Sequence, residues 1–357
     1  MLLMPRLSYT AALQPYRVVA ARILLTIETP PPLPARRRLS GGKKTQRGFL
    51  IVAVLGVFGA VGYIYYLDSR IEKIPDEALP SLEEEIDQGF RNILVVGSDS
   101  REDLPEGFDN FGDFAGERTD VIMIAHIVPD VGGQLLSLPR DLKVNIPGNG
   151  TNRINAAFVF GGPDLLVQTI QNNFGIPIHH YVEIDFGGFA RVVDALGGVT
   201  KTFDHAARDA KSGLDVEAGT IKMDGETALA YARSRNYQEL IDGSWQSVNG
   251  SDIGRTHRQQ EVLLLMFDQA TSPSSAFNLP GFATTFAGQI TADAGFTPAI
   301  IIDLGRTALG LDRGEIATMT LPVTGSTEGG IAYVVPIEPD ATSVLDAFIA
   351  GTVFPEL

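Results

Sequence analysis

A chain of 357 residues with 43 acidic and 28 basic side chains, formal net charge −15, lacks the basic surface that nucleic-acid phosphates demand. It contains no cysteine, which excludes disulfide staples, thiolate zinc sites and cysteine nucleophiles. A hydrophobic fraction of 44% is ample for one large packed domain or two ordinary ones.

Residues 1–47 hold nine of the basic residues and one acid, and read as a flexible basic tail in the cytoplasm. Residues 48–67 run twenty positions without a charge, enough to cross a hydrocarbon core about 30 Å thick. Tyr63, Tyr65 and Tyr66 crowd the far end, as interfacial aromatics do. The alternative, a cleavable signal peptide, fits less well: the run is long and no small-x-small cleavage site follows. The positive-inside rule therefore predicts one transmembrane helix in the cell membrane, with everything after it outside. A charged stalk is expected over 68–89 and a folded extracytoplasmic domain over 90–357. Beyond residue 47 the balance is 19 basic against 42 acidic residues, and 14 of the 19 are arginine. Arginine forks suit phosphate or carboxylate; ordinary surface pairing accounts for Arg70, Arg91, Arg191, Arg306 and Arg313.

From Asn92 onward strand-like and helix-like runs alternate. Strands are predicted over 93–96, 120–128 and 134–138, with Gly132-Gly133 as a hairpin turn. A helix over 164–174 starts at Pro163 and stops at Gly175. Then come a strand over 180–186, a helix over 187–196, a strand over 199–203, a helix from Asp224 and a strong helix over 255–270. The stretch 271–282 reads as a loop. A helix near 298–309, strands over 316–321 and 332–337 and a helix over 341–350 complete the chain. This alternation predicts a layered α/β/α domain with a central mixed sheet.

Five clusters carry chemistry. Asp99 follows a buried strand and Gly97-Ser98, where it is either a Mg²⁺ ligand or a helix N-cap. Arg118 and Asp120, two apart at a strand start, point the same way in an extended chain. They form either an ion pair or half of a metal-phosphate site. Arg140-Asp141 ends a strand after the rigid Pro139. Arg233 and Arg235 do not share a helix face, so to act together they need the helix to end between them; the other reading is solvated helix-end arginines. Arg255 and Gln259 share one helix face near a helix N-terminus, and the same face continues as Val262 and Met266. That suits a phosphate head with a hydrocarbon tail, although the apolar residues equally suit a core. His126 and His205 have no visible partner, His179-His180 ahead of a strand read as structural, and no phosphate-loop, nucleophile-elbow or zinc spacing is present.

In this order, Gly-Ser-Asp99-Ser-Arg101, Arg118-Thr-Asp120, Leu-Pro-Arg140-Asp141, Arg153-Ile-Asn155, Asp224 to Tyr231-Ala-Arg233-Ser-Arg235 and Gly254-Arg255-Thr-His-Arg258-Gln259-Gln260 resemble the LytR-CpsA-Psr family of cell-wall glycopolymer ligases. The resemblance covers roughly 90–270. It implies a phosphotransferase that moves a glycopolymer from a polyprenyl-pyrophosphate carrier onto peptidoglycan. It further implies Mg²⁺ on Asp99 and Asp120, and pyrophosphate cradled by Arg118, Arg140, Arg233, Arg235, Arg255 and Gln259. The prenyl tail is expected in an apolar pocket between sheet and helices. Arg140, with Asp99 or Asp141 as proton acceptor, is expected to be catalytic. A prenyl-pyrophosphate hydrolase and a non-enzymatic binder of phosphorylated lipid or wall polymer are the alternatives. Two features depart from the family pattern: Arg153 stands where lysine is common, and 236–251 is a long link, expected to act as a lid or acceptor-contact loop.

Overall fold

The computed structural model describes residues 59–84, 90–98, 119–128, 132–272, 279–311 and 313–356. The basic tail, residues 48–58 of the expected membrane span, and Asp99, Arg101 and Arg118 lie outside the described residues. Among the described residues no helix is long and apolar enough to cross a membrane.

The described chain opens with helix α1 (59–68), followed by β1 (Glu72–Ile74), β2 (Arg91–Ser98), β3 (Thr119–Val128) and β4 (Gly132–Ser137). The short hairpin β5 (Lys143–Ile146) and β6 (Gly150–Arg153) leads into α2 (Asn155–Phe174), β7 (His180–Asp185) and α3 (Phe186–Ala195). Next come β8 (Val199–Phe203), β9 (Ala207–Asp209), β10 (Leu214–Val216), β11 (Gly219–Met223) and α4 (Gly225–Arg233). β12 (Gln238–Ile241) and β13 (Ser244–Ser247) precede α5 (Asp252–Thr271), α6 (Leu279–Ala287), β14 (Ile290–Asp293) and α7 (Pro298–Gly310). β15 (Ile316–Thr320), β16 (Val323–Glu328), β17 (Ile331–Pro336) and α8 (Asp340–Ile349) follow.

Seven strands form a central mixed sheet in the order β1-β14-β7-β2-β3-β4-β15, with β2 parallel to β7 and antiparallel to β3. Register follows hydrophobic alternation. Leu94 pairs with Ile124 and Ile124 with Leu136, putting fully buried side chains on one face against α2 and α8. Each such burial is worth about 1.5–3 kcal/mol. The alternate residues Ile93, Ala125 and Val182 face the other way, against α1, α6 and α7. Helices thus cover both faces of the sheet, because both sets of alternating residues are apolar. A third core, between α3, α4, α5 and the β8–β11 region, holds Val193, Phe203, Tyr231 and Val262.

Several elements differ from the sequence expectation. The stretch expected as a stalk joins the domain: β1 pairs with β14 at the sheet edge, and Ile71 and Leu79 are buried. Its charged residues mask an edge strand of only three residues, too short for a periodic signal. Gly132 and Gly133 are not a turn but the first residues of β4, where Gly132 lies against the Glu315 carbonyl with φ 155°. The helix expected from Pro163 is the second half of α2; Asn155 starts a first half, and Gly161-Gly162 kink the two apart. Gly175 ends it in the left-handed conformation, as the sequence requires. Residues 279–287, partly assigned to a loop, are helix α6. The long link after Arg235 is the β12–β13 hairpin, joined to β9 and stiffened by Arg208 stacked 4.0 Å over Trp245.

Candidate active site

Three segments converge at the end of β2 and the start of β3. Asp120 is the extra residue where the β2–β3 register shifts: Gly97 pairs with Val121 but Ser98 pairs with Thr119. Such a bulge re-aims one side chain away from the regular ladder. Arg140 and Asp141 sit in the turn after β4. That turn is closed by Leu142 N–H on the Pro139 carbonyl, and it is held from outside by Val334 N–H on the Asp141 carbonyl. Arg235 and Arg255 come from the two ends of a corner: α4 stops at Arg233 and Ser234 is extended. The helix ends between them, as joint action would require, yet Arg233 turns to the Phe186 ring while Arg235 joins Asp120 and Asp252. α5 then starts at Asp252, capped by Ser251 Oγ accepting from Gly254 N–H at 3.0 Å.

The side chains form a dense ionic cluster. Arg140 Nη1 donates to Asp120 Oδ1, which also lies 3.5 Å from Arg235 Nη2 and 3.7 Å from Arg255 Nη1. Asp252 Oδ1 lies 3.0 Å from Arg255 Nη2, 3.6 Å from Arg235 Nε and 3.9 Å from Arg140 Nε. Asp141 reaches Arg140 at 3.8 Å and Arg153 at 3.4 Å. Burial by itself raises the Asp120 pKa, but Arg255, Arg140 and Arg235 outweigh it and hold the carboxyl below its ordinary range. Burial lowers Arg140, and Asp120, Asp252 and Asp141 more than restore it. Arg255, only 2% exposed, is pushed down to about 10 by burial, against the pull of Asp252 and Asp120. The Nε atoms of Arg140 and Arg255 and Oδ1 of Asp141 are buried without hydrogen-bond partners. Unused donors of this kind suit an incoming anion.

Beside the cluster an apolar cavity opens between the sheet and α3, α4 and α5. Its free space, mouth included, is about 550 Å³. Val95, Val121, Met123, Phe189, Leu229 and Leu263 are among its walls. Arg233, whose guanidinium sits 4.4 Å over the Phe186 ring, and Gln259 complete the lining. Along α5 the polar head at Arg255 passes through Gln259 to Leu263, successive i+4 positions on one face. The expected continuation through Val262 and Met266 is wrong by a fraction of a turn: both pack into the third core instead.

The structure thus brings Arg140, Asp120, Asp141, Arg235 and Arg255 into contact, and places Gln259 and Arg233 on the cavity. Asp99 and Arg118 lie outside the described residues. Two residues escaped the sequence reading of the site. Asp252 bridges Arg140, Arg235 and Arg255; its position three residues before Arg255 is the available signal. Asp209, 2% exposed, accepts from Ser234 Oγ at 2.7 Å, Arg235 N–H at 2.9 Å and Asn236 N–H at 2.8 Å. It pins the corner that aims Arg235. No local pattern marks it, because it meets the corner only through the β9–β12 pairing.

A single ionised carboxylate such as Asp120 is a hard oxygen donor of the kind Mg²⁺ prefers. Among the described residues no group of three or more acidic or histidine side chains forms a complete metal site. Asp120 can supply one such donor, and its Oδ1 already faces Arg140, Arg235 and Arg255.

Residues 66–348 match the LytR_cpsA_psr family. The chain is 36% identical over 287 residues to a probable cell wall biosynthesis protein LcpB of Corynebacterium glutamicum, covering 78% of this chain and 64% of that protein. It is 31% identical over 319 residues to a polyisoprenyl-teichoic acid–peptidoglycan teichoic acid transferase TagU of Oceanobacillus iheyensis, covering 83% and 90%. Among solved structures it is similar to a LytR-Csp2A-Psr enzyme from Actinomyces oris, with TM-score 0.63 and 27% identity over 78% of this chain and 96% of that one. It is also similar to TagT bound to LIIa-WTA, with TM-score 0.56 and 26% identity over 74% and 92%. With its arginine cluster beside an apolar cavity, the chain belongs to the LytR_cpsA_psr family.

Proposed function

We propose that the protein is a membrane-anchored phosphotransferase that moves a glycopolymer from a polyprenyl-pyrophosphate carrier onto peptidoglycan. The observation that carries this reading is the junction on α5, where buried Arg255 and Gln259 lead directly to the cavity wall at Leu263. Phosphate and long hydrocarbon are thereby accommodated side by side. The names of the TagU and TagT relatives support the reaction class.

Arg140, Arg235 and Arg255 bind the pyrophosphate, releasing contacts they now make with Asp120 and Asp252. Arg233 and Gln259 stand at the cavity entrance and orient the carrier. A peptidoglycan hydroxyl attacks the sugar-proximal phosphorus. One P–O bond forms, the bridging P–O bond breaks, and polyprenyl phosphate leaves. Such a transfer asks mainly for positioning and charge neutralisation, which fixed guanidinium forks supply. Asp141 takes the hydroxyl proton in this reading, which its Oδ1, accepting no hydrogen bond, supports, though Arg153 lies 3.4 Å away. Asp99 is the alternative acceptor named by the family resemblance. Four guanidiniums (Arg140, Arg153, Arg235, Arg255) face three carboxylates, leaving one positive charge against the two negatives of the pyrophosphate. Asp120, with Asp99 as the family resemblance implies, would hold a Mg²⁺, and that ion would supply the missing positive charge. The apolar run that begins at residue 48 anchors the domain outside the membrane, with the basic tail inside; its last turns, at Tyr63 and Leu67, pack on the domain itself.

Incubating purified protein with lipid-linked glycan, with and without peptidoglycan, tests this reading. Phosphodiester-linked glycan on peptidoglycan is the expected product. Carrier cleavage at the same rate without acceptor indicates hydrolysis, and binding without turnover indicates a receptor.

A further inference from the structure

α5 has a second working face. Opposite the cluster, Gly254, His257, Arg258 and Glu261 wall a separate cleft with β8, Tyr231 of α4 and the β12–β13 region. Its free space, mouth included, is about 1090 Å³, at the upper end of what small-ligand sites occupy. None of the residues assigned to phosphate or prenyl binding lines it.

The wall chemistry is mixed and internally paired. Lys201 pairs with Glu261, and its Nζ lies 5.2 Å from the Phe203 ring centre and 5.3 Å from that of Tyr231. Tyr231 Oη donates to the other oxygen of Glu261, and the Arg258 guanidinium sits 4.9 Å over Tyr237. Two cations, Lys201 and Arg258, therefore share the wall with three carboxylates, Asp204, Glu239 and Glu261. A phosphate meets an excess of negative charge here. A free cation meets rings already covered by Lys201 and Arg258. What the pairs leave over is a mixture of lone pairs and N–H donors, next to Ile253, 38% exposed, and half-buried Val248. That mixture matches a neutral, hydroxyl-rich ligand with apolar C–H patches. One donor is unused: Arg258 is 5% exposed, and its Nε has no hydrogen-bond partner.

The placement gives the cleft a role. Ser251 and Gly254 line it, while Asp252 and Arg255, in the same first turn, belong to the phosphate cluster. A helix with its side chains is about 10 Å across, so about one helix width separates the two sites. Arg258 also donates to the carbonyl of Ser234, the residue between Arg233 and Arg235. We propose that this cleft seats the saccharide backbone of the acceptor, delivering its hydroxyl around the N-terminus of α5 to the phosphate cluster. Naming the ligand as acceptor rests on the transfer reading above.

The test uses the full chain in detergent and two probes, peptide-free peptidoglycan glycan strands and the free stem peptide. Ile253→Trp fills the cleft from its exposed rim, and Glu239→Gln removes one carboxylate without changing volume. Ile253→Trp is expected to weaken glycan binding and to raise the acceptor KM by at least about tenfold, with polyprenyl phosphate binding unchanged. Glu239→Gln, which decides if the tryptophan variant folds poorly, is expected to weaken glycan binding by about threefold at an unchanged melting temperature. Unaltered glycan binding in well-folded variants overturns the proposal, as does unaltered protein that binds only the stem peptide or neither probe. Cleft-dependent glycan binding without any transfer leaves the cleft standing and removes the transfer reading alone.

Discussion

Asp120 and Asp252 divide the same three guanidiniums between them. Asp120, thrown out of register by the bulge in β3, and Asp252, the first residue of α5, each lie within 4.0 Å of Arg140, Arg235 and Arg255. Residues more than a hundred positions apart thus hold one arginine cluster in place before any phosphate arrives.

Removing either kind of partner has a distinct outcome. Arg140→Ala takes away a phosphate-binding fork and is expected to lower the transfer rate by about 10²–10³-fold, the usual loss for one transition-state donor. Asp252→Asn leaves every arginine present but loosens three of them. Its transfer rate is expected to fall less, by about tenfold to 10²-fold, through misplacement. Single-turnover rates with lipid-linked glycan, beside melting curves, check both; near-full activity of Arg140→Ala removes the site assignment.

Asp209 acts through the backbone. Burial raises its pKa, but the hydrogen bonds from Asn236, Ser234, Lys211 and Arg235 hold it below the ordinary carboxylate range. Asp209→Ala leaves those donors unsatisfied and is expected to destabilise the protein by about 1–3 kcal/mol. The Arg235 corner loosens with it, so transfer falls even at temperatures where the variant is folded. Denaturant titration and turnover at low temperature separate the two effects.

The end of the sheet away from the cluster predicts a pH response. His126 is buried between Phe90 and Phe348, with Nδ1 2.7 Å from Asn92 Oδ1. Burial, and then neighbouring His179, lower its pKa below the ordinary histidine value. The unfolded chain therefore binds the proton first, so stability falls as pH drops below 6.5 towards the lowered folded value. His126→Asn keeps a polar group for Asn92 and removes the titration. Melting temperatures between neutral and acidic pH are expected to fall less steeply in that variant.

The cavity is tested by filling it. Leu263→Trp narrows the space beside Gln259 without touching the arginines. Affinity for a long polyprenyl phosphate is expected to drop by about tenfold or more, while a short-chain analogue binds as before. Equal affinity of Leu263→Trp and the unaltered protein for the long chain places the hydrocarbon elsewhere.

The sequence by itself determined the local matters. Alternating apolar runs set the central strands, Asp224 capped α4 through Thr227 N–H, and Pro298 opened α7. The sequence left the arginines at the end of α4 open between joint action and solvated helix ends; the helix stops at Arg233, but only Arg235 joins the ionic cluster. Tertiary structure decided what lies between distant segments. The edge strand β1 exists only because β14 is there to pair with it. Asp252 and Asp209 become site residues only when α5 and β9 arrive beside Arg235. The residues of α5 that meet the cavity are Gln259 and Leu263, below Arg255, rather than Val262 and Met266, because α4 and β8 claim the neighbouring face of α5. Hydrophobic period and capping are properties of neighbours in sequence; charge pairing and cavity walls depend on long-range contacts that no single window of sequence contains.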